Sequence, residues 1–160
     1  MVHVTVICVG KMKEKFYIDA ACEYQKRLSA FCKLDIVELP EEKLPQNPSQ
    51  ALIDAALAKE ATAIRSKLPP RARTVALCIE GQLLSSEALA KRLQTWETGP
   101  SNQLCFLIGS SFGLDEDLKA QAQIRLSMSP MTFPHHLARV MLLEQLYRSF
   151  QINGGSKYHK

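Results

Sequence analysis

Residues 102–113 read NQLCFLIGSSFG, an apolar run that ends in a turn bounded by two glycines. An apolar run without alternation is typical of a strand buried on both faces, so this segment predicts a central strand of a parallel sheet. Gly109 stands where the chain must turn sharply off that strand, and Gly113 can adopt a positive φ before an acidic helix start. Such a turn lets a ligand approach backbone groups closely. A tight strand-to-helix connection without a ligand is the alternative.

Strand and helix patterns alternate outward from this segment along the whole chain. The order βαβαβαβαβα predicts an α/β fold with a mostly parallel sheet and helices on both faces. No internal repeat is visible, and the loop at 41–50 is too short to separate two domains, so we expect one domain over residues 1–160. The predicted strands cover 3–10, 33–40, 73–81, 102–110 and 124–129, and the predicted helices cover 13–31, 48–68, 85–97, 115–123 and the segment that begins at Pro134.

The composition is that of an ordinary globular protein. Of the 160 residues, 46% are hydrophobic and 22% are charged, which is close to average usage. No run of 18 or more apolar residues occurs, so a transmembrane helix is not expected. The first residues place an apolar stretch before the charges, which is the reverse of a signal peptide. These features predict a cytoplasmic protein.

The cysteines are expected to be unpaired. Their number, five, is odd, and no C-x-x-C spacing occurs. We therefore predict buried free thiols in a reducing compartment rather than disulfides or metal ligands. The five positions are Cys8, Cys22, Cys32, Cys78 and Cys105.

The net charge of +4 is unevenly distributed. Residues 1–33 carry a net charge of +3 and residues 134–160 another +3, whereas residues 34–133 carry −2. Two basic chain ends suit a partner with phosphate groups, although a solvated surface explains the pattern equally well.

The ends of the predicted strands are where an α/β sheet binds ligands. The end of the first strand has one glycine and then lysines, without G-x-G-x-x-G, which disfavours a dinucleotide site. The motif G-x-x-x-x-G-K-[ST] does not occur, which disfavours an NTPase. The remaining candidate ends are Glu80–Gln82, the turn from Gly109 to Gly113, and the loop from Ser127 to Phe133.

The loop after the fifth strand is stiff, because Pro130 and Pro134 each restrict the residue before them. Its apolar side chains can form a wall for a flat aromatic ligand, or they can simply pack. His135 and His136 follow in the first helical turn. Neighbours on a helix point about 100° apart, so we do not expect these two histidines to share a metal ion.

The last predicted helix is apolar nearly all round, as expected for a helix deep in a core or shared with a second subunit. Arg139 and Arg148 interrupt it, and each can pair with an acid or with a phosphate. The helix ends at Asn153-Gly154-Gly155, a typical C-terminal cap. A basic, aromatic tail follows it.

Four segments together resemble one known family over the whole chain. The most specific is TFPHHLARVMLLEQLYRSFQINGGSKYHK at 132–160; the others are VGKMKEKFYIDAACEYQKRL at 9–28, LCIEGQLLSSEALA at 77–90 and FLIGSSFGL at 106–114. On these segments the chain resembles the small bacterial ribosomal RNA methyltransferases called RlmH, of the SPOUT class.

The resemblance implies an activity and an architecture. The family transfers a methyl group from S-adenosylmethionine to N3 of a pseudouridine in 23S rRNA on assembled ribosomes. Its fold is a homodimeric α/β domain, the α/β-knot, in which the C-terminal segment is threaded into a trefoil knot. The implied partners are a second copy of the chain and the ribosome, with no DNA, membrane or metal ion.

The resemblance also implies site residues. The donor-binding residues would be Leu77, Gly109, Met128, Ser129, Pro130, Met131, Thr132 and Phe133. The RNA-binding residues would be Arg139, Arg148, Lys157, Tyr158, His159 and Lys160. The catalytic residue is not assigned, with His159, Tyr158 and Arg139 as candidates. The tail is expected to lie over a donor pocket, either its own or the partner's.

Three positions depart from the family pattern. Ser110 stands where a second glycine is usual, Cys78 where an acid is usual, and Gln82 where a lysine is usual. The first change can alter the shape of the turn, and the other two bear on contacts to the donor. Two alternatives stay open. One is a non-catalytic ribosome- or RNA-binding module, which needs the basic chain ends but no donor pocket, and the other is a related SPOUT methyltransferase that acts on another RNA, such as tRNA, or on protein.

Overall fold

The protein is described by a computed structural model that covers residues 1–160. Five strands alternate with five helices in the predicted order. The strands are β1 (Val2–Val9), β2 (Cys32–Leu39), β3 (Arg73–Leu83), β4 (Gln103–Ile108) and β5 (Ile124–Ser127). The helices are α1 (Lys15–Leu28), α2 (Gln50–Lys67), α3 (Ser86–Glu97), α4 (Glu116–Gln121) and α5 (His135–Asn153).

All five strands form one parallel sheet in the order β2-β1-β4-β3-β5. The apolar run of β4 occupies the central position, and five of its six residues are buried. The predictions of an α/β fold, a parallel sheet and a central fourth strand are confirmed. Because parallel strands all end at the same edge, the turns after β3, β4 and β5 lie close together.

Helices cover both faces of the sheet, as predicted. The larger hydrophobic core lies between the sheet and the helices α1, α3 and α5, and it includes Phe106, Leu93 and Leu142. The smaller core lies on the opposite face, where Ile64 of α2 and Leu118 of α4 pack against Ile7 and Leu107.

Polar caps fix the starts of three helices. The hydroxyl of Ser49 accepts a hydrogen bond from the N–H of Leu52, and that of Ser85 accepts one from the N–H of Ala88. The carboxylate of Asp115 accepts one from the N–H of Leu118. Each cap satisfies a backbone donor that a helix start leaves unpaired, so these helices begin within one or two residues of the predicted positions.

In the sequence of α1, apolar residues recur every four positions, but they do not all face the core. Phe16, Ala20, Tyr24 and Leu28 are each four residues apart, and each step of four drifts about 40° around a helix. Phe16 is therefore rotated well away from Leu28 and is 66% exposed. Tyr17 and Ala21 take the inward positions instead.

Two cysteines also correct the prediction of buried thiols. Cys8, Cys32 and Cys105 are buried, but Cys22 is exposed on α1 and Cys78 is half-buried at the end of β3. All five are free thiols. Burial raises the pKa of each of the three buried thiols to about 12.

The five helices differ from membrane-spanning segments. None of them combines the length and the apolar character needed to cross a bilayer.

Candidate functional site

A cleft of about 300 Å³ opens at the carboxyl edge of the sheet. The ends of β3 and β4, the loop after β5 and the first turn of α5 surround it. Seven of the eight expected donor-binding residues line it, and Pro130 does not. The seven are Leu77, Gly109, Met128, Ser129, Met131, Thr132 and Phe133.

The turn after β4 has a shape that requires glycine at its first position. A Cβ atom on Gly109 would lie 2.2 Å from the carbonyl oxygen of Gly113. The N–H of Gly113 donates a hydrogen bond to the carbonyl of Ser110 at 2.8 Å, and Gly113 has a φ of +88°. The two ends of the turn therefore touch, and the turn forms one wall of the cleft.

The end of β3 bulges into the cleft, which the sequence did not predict. Leu77 and Gln82 both pair with Leu126 of β5, so residues 78–81 leave the ladder. A Cβ atom on Gly81 would lie 2.8 Å from the backbone of Arg125 and Leu126. This glycine was the available signal, because a glycine inside a strand often marks a bulge or a close backbone approach.

Hydrogen bonds within the loop after β5 define its shape. The hydroxyl of Ser127 donates to the carbonyl of Ser129 at 3.0 Å, and the hydroxyl of Ser129 accepts from the N–H of Met131 at 3.0 Å. Phe133 and Met128 line the interior of the cleft, whereas Met131 is 72% exposed at its rim.

The rim of the cleft is apolar. Ile79, Phe112 and Met131 all line the cleft, although each is at least 46% exposed. Exposed apolar side chains gathered around a concave site are typical of ligand-binding surfaces. The shape and lining of the cleft suit a flat ligand with one apolar face.

A buried lysine that the sequence analysis did not identify also lines this cleft. Lys119 of α4 is only 7% exposed and pairs with Glu80 at 2.5 Å and with Glu116 at 2.7 Å. Burial alone lowers the pKa of Lys119, but hydrogen bonds from its ammonium group to Glu116 and Glu80 outweigh this effect and raise it. The ammonium group therefore stays charged beside the bulge of β3.

The two histidines at the start of α5 lie at the edge of the site. His135 lines the cleft, and burial, followed by the charge of His136, lowers its pKa. The two rings meet edge to face with their centroids 4.2 Å apart. No group of three or more His, Cys, Asp or Glu side chains in the structure is placed to hold a metal ion.

Arg139 lies behind the cleft and is 3% exposed. Its guanidinium donates to Glu38 at 2.7 Å and to the carbonyl of Gly10 at 3.1 Å. These contacts join α5 to the ends of β1 and β2, which is a structural role. Because Arg139 is almost completely buried in this arrangement, it would have to leave these partners to contact a phosphate group of RNA. Its expected contact with RNA stays a prediction.

The C-terminal tail packs on its own helix. The Tyr158 ring lies against that of Tyr147 at 4.9 Å, with the Arg148 guanidinium above it at 4.8 Å, and its hydroxyl donates to Glu144 at 3.2 Å. Burial and the charge of Glu144 raise the pKa of Tyr158. The phenol therefore keeps its proton at neutral pH, which disfavours Tyr158 as a general base in this position.

His159 is also fully engaged. Its Nδ1 pairs with Arg148 at 3.1 Å, and its Nε2 pairs with Glu87 of α3 at 2.6 Å. Both ring nitrogens are occupied, so His159 must leave these partners before it can accept a substrate proton. Lys157 and Lys160 are exposed and therefore accessible to phosphate groups.

The three departures from the family pattern have different positions. Ser110 and Cys78 line the cleft, while Gln82 lies outside it and accepts a hydrogen bond from Arg92 at 3.4 Å. Burial raises the pKa of the Cys78 thiol, and the nearby charge of Glu80 raises it further. A neutral thiol thus replaces an acid in the cleft wall.

Two solved structures are similar to this chain. One is a probable methylase family protein from Haemophilus influenzae Rd KW20, with 11% identity and a TM-score of 0.56, over 100% of this chain and 72% of that one. The other is the SpoU methyltransferase AviRb from Streptomyces viridochromogenes, solved with the cofactor AdoMet. That match has 11% identity and a TM-score of 0.46, over 97% of this chain and 59% of that one.

A family model supplies the assignment. The model described as "Predicted SPOUT methyltransferase" matches residues 2–159, nearly the whole sequence. This chain therefore belongs to the SPOUT methyltransferase family.

Proposed function

We propose that this protein transfers a methyl group from S-adenosylmethionine to N3 of a pseudouridine in 23S rRNA on assembled ribosomes. The observation that carries the proposal is the cleft itself. It gathers Leu77, the Gly109 turn and the loop from Met128 to Phe133, which are the segments that the RlmH resemblance marks for donor binding.

The cleft has the chemistry that the donor requires. Adenosine is flat, with apolar faces and hydrogen-bonding edges, so apolar walls with exposed backbone groups suit it. Leu77, Met128 and Phe133 supply the walls, and the backbone of the Gly109 turn supplies donors and acceptors. S-adenosylmethionine provides an electrophilic methyl group on a sulfonium. The protein aligns the attacking nitrogen with the carbon of that methyl group, and the bond from sulfur to the methyl carbon breaks as the new bond to nitrogen forms. The proton that the nitrogen carried is removed by a base.

The position of the tail supports a homodimer. Ala138 lines the cleft, whereas the contacts of the tail with α5 begin at Glu144, six residues further along, and extend to Arg148. The nearer of these contacts is about 9 Å from Ala138 along the helix axis. No residue of the tail lines the cleft of its own chain. It can contribute Lys157, Tyr158 and Lys160 to the site of a partner.

One face of α5 is available for that partner. Leu137 and Met141 are one turn apart and half-buried, and they belong to neither hydrophobic core. We infer that a second copy covers this face. The proposal includes one SPOUT domain over residues 1–160, the knotted threading of its C-terminal segment, and a cytoplasmic location.

The substrate is tested in three separate reactions, each of which contains the protein and labelled S-adenosylmethionine. One reaction receives assembled ribosomes, one receives free rRNA and one receives tRNA. We expect methylation of ribosomes only, since the RlmH resemblance implies the assembled ribosome as the substrate. Mass spectrometry of rRNA from cells that lack the gene should show the loss of one methylated pseudouridine.

The same experiment distinguishes the alternatives. Methylation of tRNA or of free rRNA instead would indicate a SPOUT methyltransferase with another substrate. Ribosome binding without any affinity for S-adenosylmethionine, measured by calorimetry, would indicate a non-catalytic module.

A further inference from the structure

A buried carboxylate outside the cleft contacts the turn that forms the cleft wall. Glu60 of α2 is 5% exposed. Its Oε1 accepts a hydrogen bond from the hydroxyl of Ser110 at 2.9 Å, and its Oε2 accepts one from the N–H of Glu42 at 2.9 Å. A buried carboxylate is costly unless it is hydrogen-bonded. Both oxygens of Glu60 are satisfied by groups that belong to loops rather than to its own helix.

Ser110 transmits this contact to the backbone of the turn. It follows Gly109 directly and is 6% exposed. Its hydroxyl is held by Glu60, and its carbonyl accepts the N–H of Gly113 at 2.8 Å. Because the side chain and the carbonyl of one residue are both fixed, the peptide groups on either side of Ser110 have little freedom to rotate.

The next residue has a similar but weaker anchor. The hydroxyl of Ser111 donates to Glu41 at 2.9 Å, and both of these residues are exposed. Exposed hydrogen bonds compete with water and contribute less than buried ones. The buried contact of Glu60 is therefore the stronger of the two restraints on this turn.

We propose that Glu60 is a positioning residue for methyl-donor binding, which acts through Ser110 to hold the Gly109 turn in its binding shape. This inference rests on the proposed function of the cleft. Glu60 does not line the cleft, so its influence on a donor would be indirect. Ser110 replaces the usual glycine here, so this chain can restrain the turn through a side chain that a glycine would lack.

The expected consequence is a change in donor affinity. A turn that is already ordered pays no ordering cost when a ligand binds, whereas a loosened turn draws that cost from the binding free energy. Methyl transfer from donor already bound depends on alignment inside the closed complex. Removal of the Glu60 contact should therefore raise the Kd and KM for S-adenosylmethionine more than it lowers kcat.

The test is a double-mutant cycle with Glu60→Gln, Ser110→Gly and the double variant, with the Kd for S-adenosylmethionine measured by calorimetry. Gln has only one acceptor oxygen for two donors, so we expect the Kd of Glu60→Gln to rise about tenfold. In the Ser110→Gly background the same substitution should change the Kd less than about twofold, because the link is already absent.

Glu97→Gln is the control, because Glu97 is a half-buried acid at the end of α3 that does not line the cleft. Its Kd should equal that of the unchanged protein. Urea unfolding of every variant separates an effect on the turn from general loss of folding. If Glu60→Gln changes the donor Kd by the same factor in both backgrounds, the inference about Glu60 is overturned while the proposed function stands. No donor binding by the unchanged protein would overturn the proposed function as well.

Discussion

Gly109 and Gly113 lie in contact across the turn after the central strand, with no room for a methyl group between them. A Cβ on Gly109 would be 2.2 Å from the carbonyl oxygen of Gly113, and 3.0 Å from the side chain of Leu114. The backbone cannot relieve the first contact without opening the turn. The wall of the cleft therefore depends on the absence of a single side chain.

Gly109→Ala should abolish detectable binding of S-adenosylmethionine and lower the stability of the fold. Overpacking at a closed site typically costs about 1–3 kcal/mol. Gly113→Ala is the control, since a methyl group at that position would have no atom within 4 Å of it. It should cost only about 1 kcal/mol through its positive φ. Calorimetry and urea unfolding measure both quantities, and equal donor affinity in the two variants would contradict this account.

Lys119→Met should weaken donor binding with only a small loss of fold stability. Glu80 and Glu116 are 52% and 83% exposed, so water can solvate them when Lys119 is lost, and the stability should fall by less than about 1 kcal/mol. The bulge of β3 loses its anchor, and we expect the donor Kd to rise at least about threefold, the scale of one ion pair whose acidic partners are exposed. Lys91→Met, at an exposed position on α3, should change neither quantity. An unchanged donor Kd in Lys119→Met would show that the bulge keeps its shape without the ion pairs of Lys119.

Glu60 should make stability depend on pH in a defined direction. Burial raises its pKa above 4.5, and the charges of Glu41 and Glu42 raise it further, although hydrogen bonds from the Glu42 N–H and Ser110 act against this. The folded protein therefore binds more protons than the unfolded chain between pH 4.5 and the raised value. The contribution of Glu60 to stability must fall as the pH rises through that window.

The measurement is the difference in unfolding free energy between the unchanged protein and Glu60→Gln, from pH 4.5 to neutrality. This difference should decrease as the pH rises. For Glu87→Gln the measurement is extended below pH 4.5, where it should give the opposite slope, because the hydrogen bond from His159, the largest effect, lowers the pKa of Glu87. Its contribution is present above 4.5 and lost as the pH falls through the lowered value. Parallel slopes for the two variants would contradict the assignment.

The fold followed from local patterns in the sequence. The apolar run 104–108 placed β4 at the centre, and the alternation of strands and helices predicted the parallel sheet. Gly109 and the proline-bounded loop also indicated the edge where the cleft lies. These features are local, because a glycine or a proline restricts the backbone at its own position.

The contacts that complete the site could not be predicted in this way. Lys119 reaches Glu80 across 39 residues of sequence, and Glu60 reaches Ser110 across 50. Neither pair has a periodicity or a motif that relates its members. Phe16 and Cys22 show the same limit, since exposure depends on which neighbouring elements cover a helix face. The order of strands in the sheet likewise depends on how the long connections pack.

Met141→Lys should convert the proposed homodimer into a monomer. Met141 is half-buried on α5 and packs in neither core, so a lysine there can reach solvent in a single chain but would carry a charge into a subunit interface. Leu52→Lys is the control, since Leu52 is 47% exposed on α2, on the opposite face of the sheet. Sedimentation velocity measures both. A Met141→Lys variant with the mass of a dimer would show that this face is not the interface.

Deletion of residues 156–160 should separate donor binding from methyl transfer. The tail packs against Tyr147 and Arg148 of α5 and Glu87 of α3, and it contributes nothing to the lining of the cleft in its own chain. Donor affinity should therefore fall little, while methylation of ribosomes should fall at least about a hundredfold, the scale of a lost positioning or acid–base group. Tyr158→Phe is a milder companion, because it removes only the hydrogen bond to Glu144 and keeps the aromatic ring. If Tyr158 stacks on a base, this variant should retain most activity, whereas Tyr158→Ala should not. Full transfer activity after the deletion would exclude the tail from the reaction.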